Sequence, residues 1–148
     1  MLDRSGNRNC TGKINGPTTG QYQGGGKFKG LKDFTRQYVQ TALWSSAGEN
    51  GEPLDQSFSA EDIAPSTLKV MKTDSKKFLQ KNHRDVGADM GHAGHDFWLT
   101  RNGHGTGFWD DEDRYGEDGA KRLSAAAKEF GAFDLYVGDD GKIHGGRF

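Results

Sequence analysis

The dipeptide Asn102-Gly103 is the strongest local folding signal in this chain. Both central residues of a type I′ turn need a positive φ, which Asn and Gly tolerate better than other residues. The apolar residues on either side of the dipeptide therefore favour a β-hairpin. We predict that residues 96–101 pair with residues 105–110 across a turn of two or four residues.

The two faces of this hairpin follow from the alternation of side chains along a strand. Turns of two and of four residues give registers that differ by two, so every side chain keeps its face. Trp98 and Trp109 share one face, and Phe97, Leu99 and Phe108 share the other. Because both faces are apolar, each requires a helix, another sheet or a partner molecule to cover it.

Length and glycine content predict one domain that follows an arm. A chain of 148 residues has room for one ordinary domain. Only 32% of the residues are hydrophobic and 23 are Gly, which indicates that part of the chain lies outside the core. Eight of the glycines lie in residues 1–30. We therefore predict a flexible, basic, Gly-rich arm over residues 1–30 and a single domain over residues 31–148.

Hydrophobic spacing outside the first hairpin predicts three helices and a second hairpin. Apolar residues recur at helical intervals over about 31–44, 65–83 and 118–130. Residues 134–138 and 142–144 read as strands that pair across Asp139-Asp140-Gly141. The predicted fold class is α+β, with helices packed on antiparallel β-hairpins in the order ααββαββ.

The segment 95–110 carries the residues that we expect to contact a partner. Trp and Arg commonly supply the binding energy of protein interfaces. The predicted partner-binding residues are Trp98, Arg101, His104 and Trp109. In the alternative interpretation, the two tryptophans belong to the core and recognition occurs elsewhere.

The charge distribution supports nucleic-acid binding as an alternative function. The first 32 residues carry six Lys or Arg and one Asp, whereas residues 87–148 carry seven Lys or Arg and twelve Asp or Glu. The arm and the outer surface of the second helix would attract phosphates, and the acidic half would repel them. Lysines on a helix surface also serve solubility alone. The candidate nucleic-acid contacts are Lys27, Lys29, Lys69, Lys72, Lys76, Lys77 and Lys81.

Histidines around the first hairpin suggest a third candidate, a metal site. The candidate ligands are His92, His95, His104 and Asp110, with Asp96 as a further one. No helical His-Glu-x-x-His motif accompanies them, and the single cysteine, Cys10, excludes a multi-cysteine zinc site. No nucleophile or phosphate-binding motif is present. We therefore predict a non-enzymatic protein without a cofactor, and a metal-dependent hydrolase is the least favoured alternative.

Several longer motifs carry a family resemblance. They are Gly94-His-Asp-Phe-Trp-Leu-Thr-Arg-Asn-Gly-His-Gly-Thr-Gly-Phe-Trp-Asp110, Ala126-Ala-Lys-Glu-Phe-Gly131, Asp134-Leu-Tyr-Val-Gly-Asp-Asp-Gly-Lys142, Thr41-Ala-Leu-Trp44, Glu52-Pro-Leu-Asp55 and Glu61-Asp-Ile-Ala-Pro65. Together they resemble a family of small uncharacterised proteins encoded by tailed phages and prophages. The arm is not part of this resemblance. The resemblance implies a phage gene product that acts in an infected bacterium, and it carries over no activity or catalytic residue.

The predicted location and function combine the resemblance with composition. No apolar run approaches the roughly 20 residues that span a bilayer, and no apolar signal core follows the Met-Leu-Asp-Arg start. We therefore expect no membrane contact and a location in the cytoplasm of the infected host. The predicted function is that of a phage accessory protein which binds a host or phage macromolecule, a protein in the first instance, in host takeover or anti-defence. The oligomeric state stays open.

Overall fold

The computed structural model describes residues 30–147 and shows a mostly helical α+β domain. The helices are α1 (Leu31–Ser45), α2 (Pro65–Val86), α3 (Met90–Arg101), α4 (Glu112–Tyr115) and α5 (Glu117–Glu129), and the strands are β1 (Phe133–Val137) and β2 (Ile143–Arg147). Short 3₁₀ turns lie at Leu54–Gln56, Ala60–Asp62 and Phe108–Asp110. The predicted arm, with Lys27 and Lys29, lies outside the described residues apart from Gly30.

Hydrophobic spacing located three of these helices correctly. The expected helices over 31–44, 65–83 and 118–130 correspond to α1, α2 and α5. Pro65 begins α2 because a first-turn residue has no use for the N–H that proline lacks. Gly87 ends α2 with a φ of 79°, a conformation that glycine adopts without steric cost.

The second hairpin is also confirmed. Strands β1 and β2 pair antiparallel, with Val137 opposite Ile143. The backbone N–H of Gly138 donates to the carbonyl oxygen of Lys142 at 2.8 Å and closes the turn. This two-stranded sheet packs on the helices through the inward-facing Phe133, Leu135 and Ile143, which are all buried.

The first predicted hairpin is wrong, because residues 90–101 form helix α3 and Asn102-Gly103 ends it. Gly103 has a φ of 70°. Its N–H donates to the carbonyl of Thr100, and the N–H of His104 donates to the carbonyl of Leu99 at 3.0 Å. These two hydrogen bonds form a Schellman motif, the usual use of a left-handed glycine at a helix end. The described elements therefore run αααααββ rather than ααββαββ.

Helix α3 is the centre of the domain. Every residue from 96 to 101 is buried. Its Gly94 lies against the backbone of α1, where a Cβ atom would overlap the carbonyl oxygen of Phe34. Phe97 stacks on Phe78 of α2 with ring centroids 4.2 Å apart. These contacts fix the position of α3 in the domain, and its first turn remains partly exposed.

Candidate functional site

Helix α3 places two ionisable side chains four residues apart on one face, since 3.6 residues complete a turn. The Nε2 atom of His92 lies 3.1 Å from the Oδ2 atom of Asp96. Asp111, just before α4, places its own Oδ2 atom 3.1 Å from the same nitrogen. We term these three residues the His92 cluster.

Asp96 is the buried member of the His92 cluster, with 3% of its surface exposed. The hydroxyl of Tyr115 donates to Asp96 Oδ2 at 2.8 Å. Burial raises the pKa of Asp96, although the Tyr115 hydrogen bond and the nearby histidines act in the opposite direction. Burial and the Asp96 charge also raise the pKa of Tyr115, so its hydroxyl keeps the proton that it donates. The Asp96 carboxylate is thus fixed in place and faces His92.

Hydrogen bonds also fix His92 and Asp111, the other two members of the His92 cluster. Asp89 caps α3 by accepting the backbone N–H of His92 at 3.0 Å. The Nε atom of Arg114 donates to Asp111 at 3.0 Å, and its Nη1 atom donates to Asp89 at 3.1 Å. The side chains of His92 and Asp111 are 34% and 29% exposed, so the cluster is open to solvent on one side.

The cluster offers one imidazole nitrogen and two carboxylate oxygens, a donor set that suits divalent transition metals. One such atom from each residue lies within 4.8 Å of the others. Among the residues that the structure describes, this is the only such group of three or more. It retains His92 from the predicted metal ligands, together with Asp96, and adds Asp111. His95, His104 and Asp110 are not in the group.

The His95 ring lies 5.9 Å from that of His92 and lines a groove of about 630 Å³ beside α1. Its Nδ1 atom lies 2.9 Å from the hydroxyl oxygen of Thr41, and its ring centroid lies 6.2 Å from that of Trp44. Burial lowers the pKa of His95, and the nearby Asp96 carboxylate only partly offsets this. Burial thus favours the neutral form of the His95 ring.

The groove combines exposed aromatic surface with acidic side chains. Trp44 and Phe58 both line the groove; Trp44 is 55% exposed and Phe58 is half-buried. Asp55 and Glu61 supply carboxylates, and no Lys or Arg lines it in the described part of the chain. We term this surface the Trp44 groove. None of its residues except His95 belongs to the segment 95–110 that the sequence indicated.

The structure places Trp98 and Arg101 inside the domain, where they cannot serve as surface contacts. Trp98 is 2% exposed, and its indole N–H donates to the hydroxyl of Ser45 at 2.7 Å. Arg101 is 4% exposed and forms a buried ion pair with Asp74 at 3.0 Å. Trp98 therefore belongs to the core, as the alternative interpretation of the sequence has it.

His104 and Trp109 lie on the surface, in the loop between α3 and α4. Trp109 is 48% exposed and His104 is also exposed. Asp110 accepts hydrogen bonds from the Thr106 hydroxyl at 2.6 Å and from the N–H of Gly107 at 3.1 Å, and the Thr106 bond is the main reason that the pKa of Asp110 is lowered. Asp110 thus stabilises this loop. A role for His104 and Trp109 in partner binding stays a prediction.

The lysines predicted on the second helix all lie on the outer surface of α2. Buried residues such as Met71 and Phe78 define the inner face of the helix. The basic residues on the opposite face are exposed: Lys69, Lys72, Lys76, Lys77, Lys81 and Arg84. They span about four turns of a 22-residue helix and form a basic face, as the sequence predicted.

Comparisons with protein-family models, with curated proteins and with solved structures found no match for this chain. Within residues 30–147, every helix is too short or too polar to cross a bilayer. The site must therefore be interpreted from its own chemistry.

Proposed function

We propose that this domain is a non-enzymatic binding protein which captures a basic segment of a partner protein in the Trp44 groove. The observation that carries the proposal is the composition of the groove. A Trp side chain that is more than half exposed lines the same groove as two carboxylates, and none of the lining residues among those the structure describes is Lys or Arg. The groove thus has the shape and charge to receive a Lys or Arg side chain.

Each part of the groove has a role in such a contact. The face of an exposed Trp attracts an ammonium or guanidinium group through its π electrons. Asp55 and Glu61 would accept charge-assisted hydrogen bonds from that group. Burial of His95 favours its neutral form, which would not repel a cation. Because Trp is also the residue most enriched among binding hot spots, we expect Trp44 to contribute more binding energy than any other groove residue.

The biological setting of this proposal rests on the resemblance to tailed-phage proteins. Small phage proteins of this kind often bind and block a host enzyme or defence complex, or assist phage DNA metabolism. We accordingly propose a role in host takeover or anti-defence in the cytoplasm of an infected bacterium.

The proposal is tested by NMR on the ¹⁵N-labelled full-length chain. Its three tryptophans give three indole N–H signals, which single Trp→Phe variants assign. A hexa-arginine peptide is expected to shift the Trp44 signal and leave the Trp109 signal unchanged, and a hexa-glutamate peptide is expected to shift neither. Shifts confined to Trp109, or equal shifts with both peptides, would contradict the proposal.

A purification experiment then asks whether a cellular partner uses the groove. The tagged protein is recovered from nuclease-treated lysate of phage-infected bacteria, beside the Trp44→Ala and Trp109→Ala variants. We expect a protein that elutes with the wild type and with Trp109→Ala but not with Trp44→Ala. A partner that depends on Trp109 instead would move the interface to the loop between α3 and α4.

The basic face of α2 supports nucleic-acid binding as a second candidate function. Six cationic side chains along one helix face match the spacing of phosphates only loosely, so binding would be independent of sequence and sensitive to salt. Replacing Lys69, Lys77 and Lys81 by Gln is expected to weaken DNA binding and to reduce the slope of log K against log salt by about 0.9 for each phosphate that the variant no longer neutralises. The matched control is Lys121→Gln with Lys142→Gln, since both lysines are exposed outside α2. If the control weakens binding equally, the α2 face is not the interface.

A further inference from the structure

We propose that the His92 cluster binds a divalent transition-metal ion of the zinc class. Two observations carry this inference. One imidazole nitrogen lies 3.1 Å from each of two carboxylate oxygens, and these oxygens come from different segments of the chain. The inference is independent of the Trp44 groove and adds a second binding site to the proposed function.

The position of His92 Nε2 between two carboxylate oxygens suits a metal ion. A single N–H points well at only one acceptor, and His92 hydrogen-bonds to Asp111, so a proton on Nε2 does not account for the equally short distance to Asp96. A metal ion instead accepts the nitrogen lone pair and bonds to both oxygens at once. Zinc–nitrogen and zinc–oxygen bonds of about 2.0–2.2 Å at tetrahedral angles separate the ligand atoms by roughly 3.4 Å. The two nitrogen–oxygen distances in the cluster, both 3.1 Å, are close to this value.

The donor set also indicates the kind of metal. Mg²⁺ and Ca²⁺ prefer oxygen ligands throughout, whereas an imidazole nitrogen suits zinc and its neighbours. The two carboxylates balance the charge of a divalent ion. Since His92 and Asp111 are partly exposed, the solvent side leaves room for a water molecule beside the three protein ligands.

Surrounding residues hold the ligands as a metal site requires. The Tyr115 hydroxyl fixes Asp96, and the Asp89 carboxylate fixes the first turn of α3 beneath His92. Arg114 opposes metal binding, since its Nε atom lies 3.0 Å from the same Asp111 oxygen as His92. Its second hydrogen bond, to Asp89, keeps this guanidinium anchored when Asp111 turns to a metal. Such supporting contacts commonly change metal affinity by about 10–100-fold.

The test is a calorimetric titration of zinc chloride into the full-length chain, after treatment with chelator and removal of any tag. We expect one zinc ion per chain. Asp111→Asn and His92→Gln are each expected to weaken binding by about a hundredfold or more, and Tyr115→Phe by about tenfold. Magnesium chloride is expected to give no binding heat. The matched controls, His144→Gln and Cys10→Ser, are expected to bind zinc like the wild type.

Each other outcome would overturn the proposal. The proposal is wrong if the wild type binds no stoichiometric zinc or if Asp111→Asn binds zinc as tightly as the wild type. It is also wrong if His144→Gln or Cys10→Ser abolishes zinc binding. His144 is an informative control because its Nε2 atom also contacts a carboxylate, that of Asp140, at 3.0 Å, but no third ligand joins that pair within the described residues. Asp111 is exposed enough for the Asn variant to fold, and a circular dichroism melt checks this. If His92→Gln fails to fold, the zinc affinity of Asp111→Asn alone tests the proposal.

Discussion

Arg101 shows how burial changes the role of a single residue. An Arg near two tryptophans suggests a binding surface, but each nitrogen of this guanidinium is used inside the domain. Nη1 contacts the Asp74 carboxylate and the Tyr38 hydroxyl, Nε donates to the carbonyl of Gly131, and Nη2 donates to that of Phe130. A buried cation is tolerated only when it is paired and fully hydrogen-bonded. Arg101 thereby ties α3 to α1, to α2 and to the residues that follow α5.

We predict that Arg101→Met destabilises the domain by about 3–5 kcal/mol, because it leaves the Asp74 carboxylate buried beside an apolar side chain. Urea unfolding measures the loss. The double variant Asp74→Asn with Arg101→Met is expected to recover part of the lost stability, since the buried Asp74 charge is removed. Arg36→Met, which removes an exposed pair with Asp33, is the control and is expected to leave stability unchanged. An Arg101→Met midpoint equal to that of the wild type would contradict this account.

Gly103 shows what sequence does determine at the scale of one residue. Asn-Gly predicted a positive φ at both residues; Gly103 has one, whereas Asn102 has a φ of −100°. Two structures use that conformation, a type I′ hairpin turn and a helix end, and the dipeptide does not distinguish them. The choice depends on whether residues 90–101 bury more surface as a helix than as a strand. That balance is set by contacts with Phe34, Phe78 and other residues distant in sequence.

At the scale of elements, a helix could be predicted from hydrophobic spacing only where one of its faces is exposed to solvent. Helices α1, α2 and α5 each have an apolar stripe and an exposed face, so spacing located them. Helix α3 is buried at six successive positions, and a run of that kind has no period that separates helix from strand. For the same reason, the sequence named His92 and Asp96 as candidate ligands but grouped them with the wrong residues and left out Asp111. His92 and Asp96 lie on one face only if the segment is helical.

The close contact between α1 and α3 gives a prediction with a matched control on the same helix. Gly94→Ala should destabilise the domain by roughly 1–3 kcal/mol or more, because its Cβ would overlap the Phe34 carbonyl and push the helices apart. Gly91→Ala should be neutral or slightly stabilising, since its Cβ would meet no atom closer than 3.9 Å. Thermal melts of both variants measure the difference. Equal melting temperatures would mean that α1 and α3 do not pack through Gly94.

A two-pronged ion pair between α2 and α5 gives a pH-dependent prediction. Arg122 donates to both carboxylate oxygens of Asp85, at 2.9 and 2.8 Å, and these hydrogen bonds lower the pKa of Asp85. A lowered folded-state pKa means that the pair stabilises the domain above the unfolded pKa, about 3.9, and ceases to do so as pH falls through the folded value. Arg122→Gln should therefore melt at a lower temperature than the wild type at pH 7. The difference between the two melting temperatures should become smaller as the pH falls below about 4.

The control for this pH series is Lys121→Gln. Lys121 and Glu117 form an exposed pair within α5, with the side chains 71% and 70% exposed, so its removal should change little at any pH. If the melting temperatures of Arg122→Gln and the wild type differ by the same amount at low pH, Arg122 stabilises the domain through packing instead of charge.

At the scale of the whole molecule, hydrophobic spacing and turn residues predicted the α+β fold class but not the sites. The Trp44 groove draws on α1, on the segment around Asp55 and Glu61, and on His95 of α3. The His92 cluster combines α3 with a residue beyond the following loop. No short motif spans such separations, so neither site could be assembled before the packing of α3 was known. The basic face of α2 was predictable because one helix supplies all of it.

The metal proposal has a consequence for the stability of the entire domain. The three ligands come together only in the folded chain, so zinc should bind the native state far more tightly than the unfolded state. Free zinc at a hundred times its dissociation constant then stabilises the fold by about 2.7 kcal/mol. For a domain of this size, that raises the melting temperature by on the order of 10 °C. Excess chelator should reverse the rise, and Asp111→Asn should abolish it while His104→Gln keeps it. A rise that survives Asp111→Asn would place the metal elsewhere on the chain.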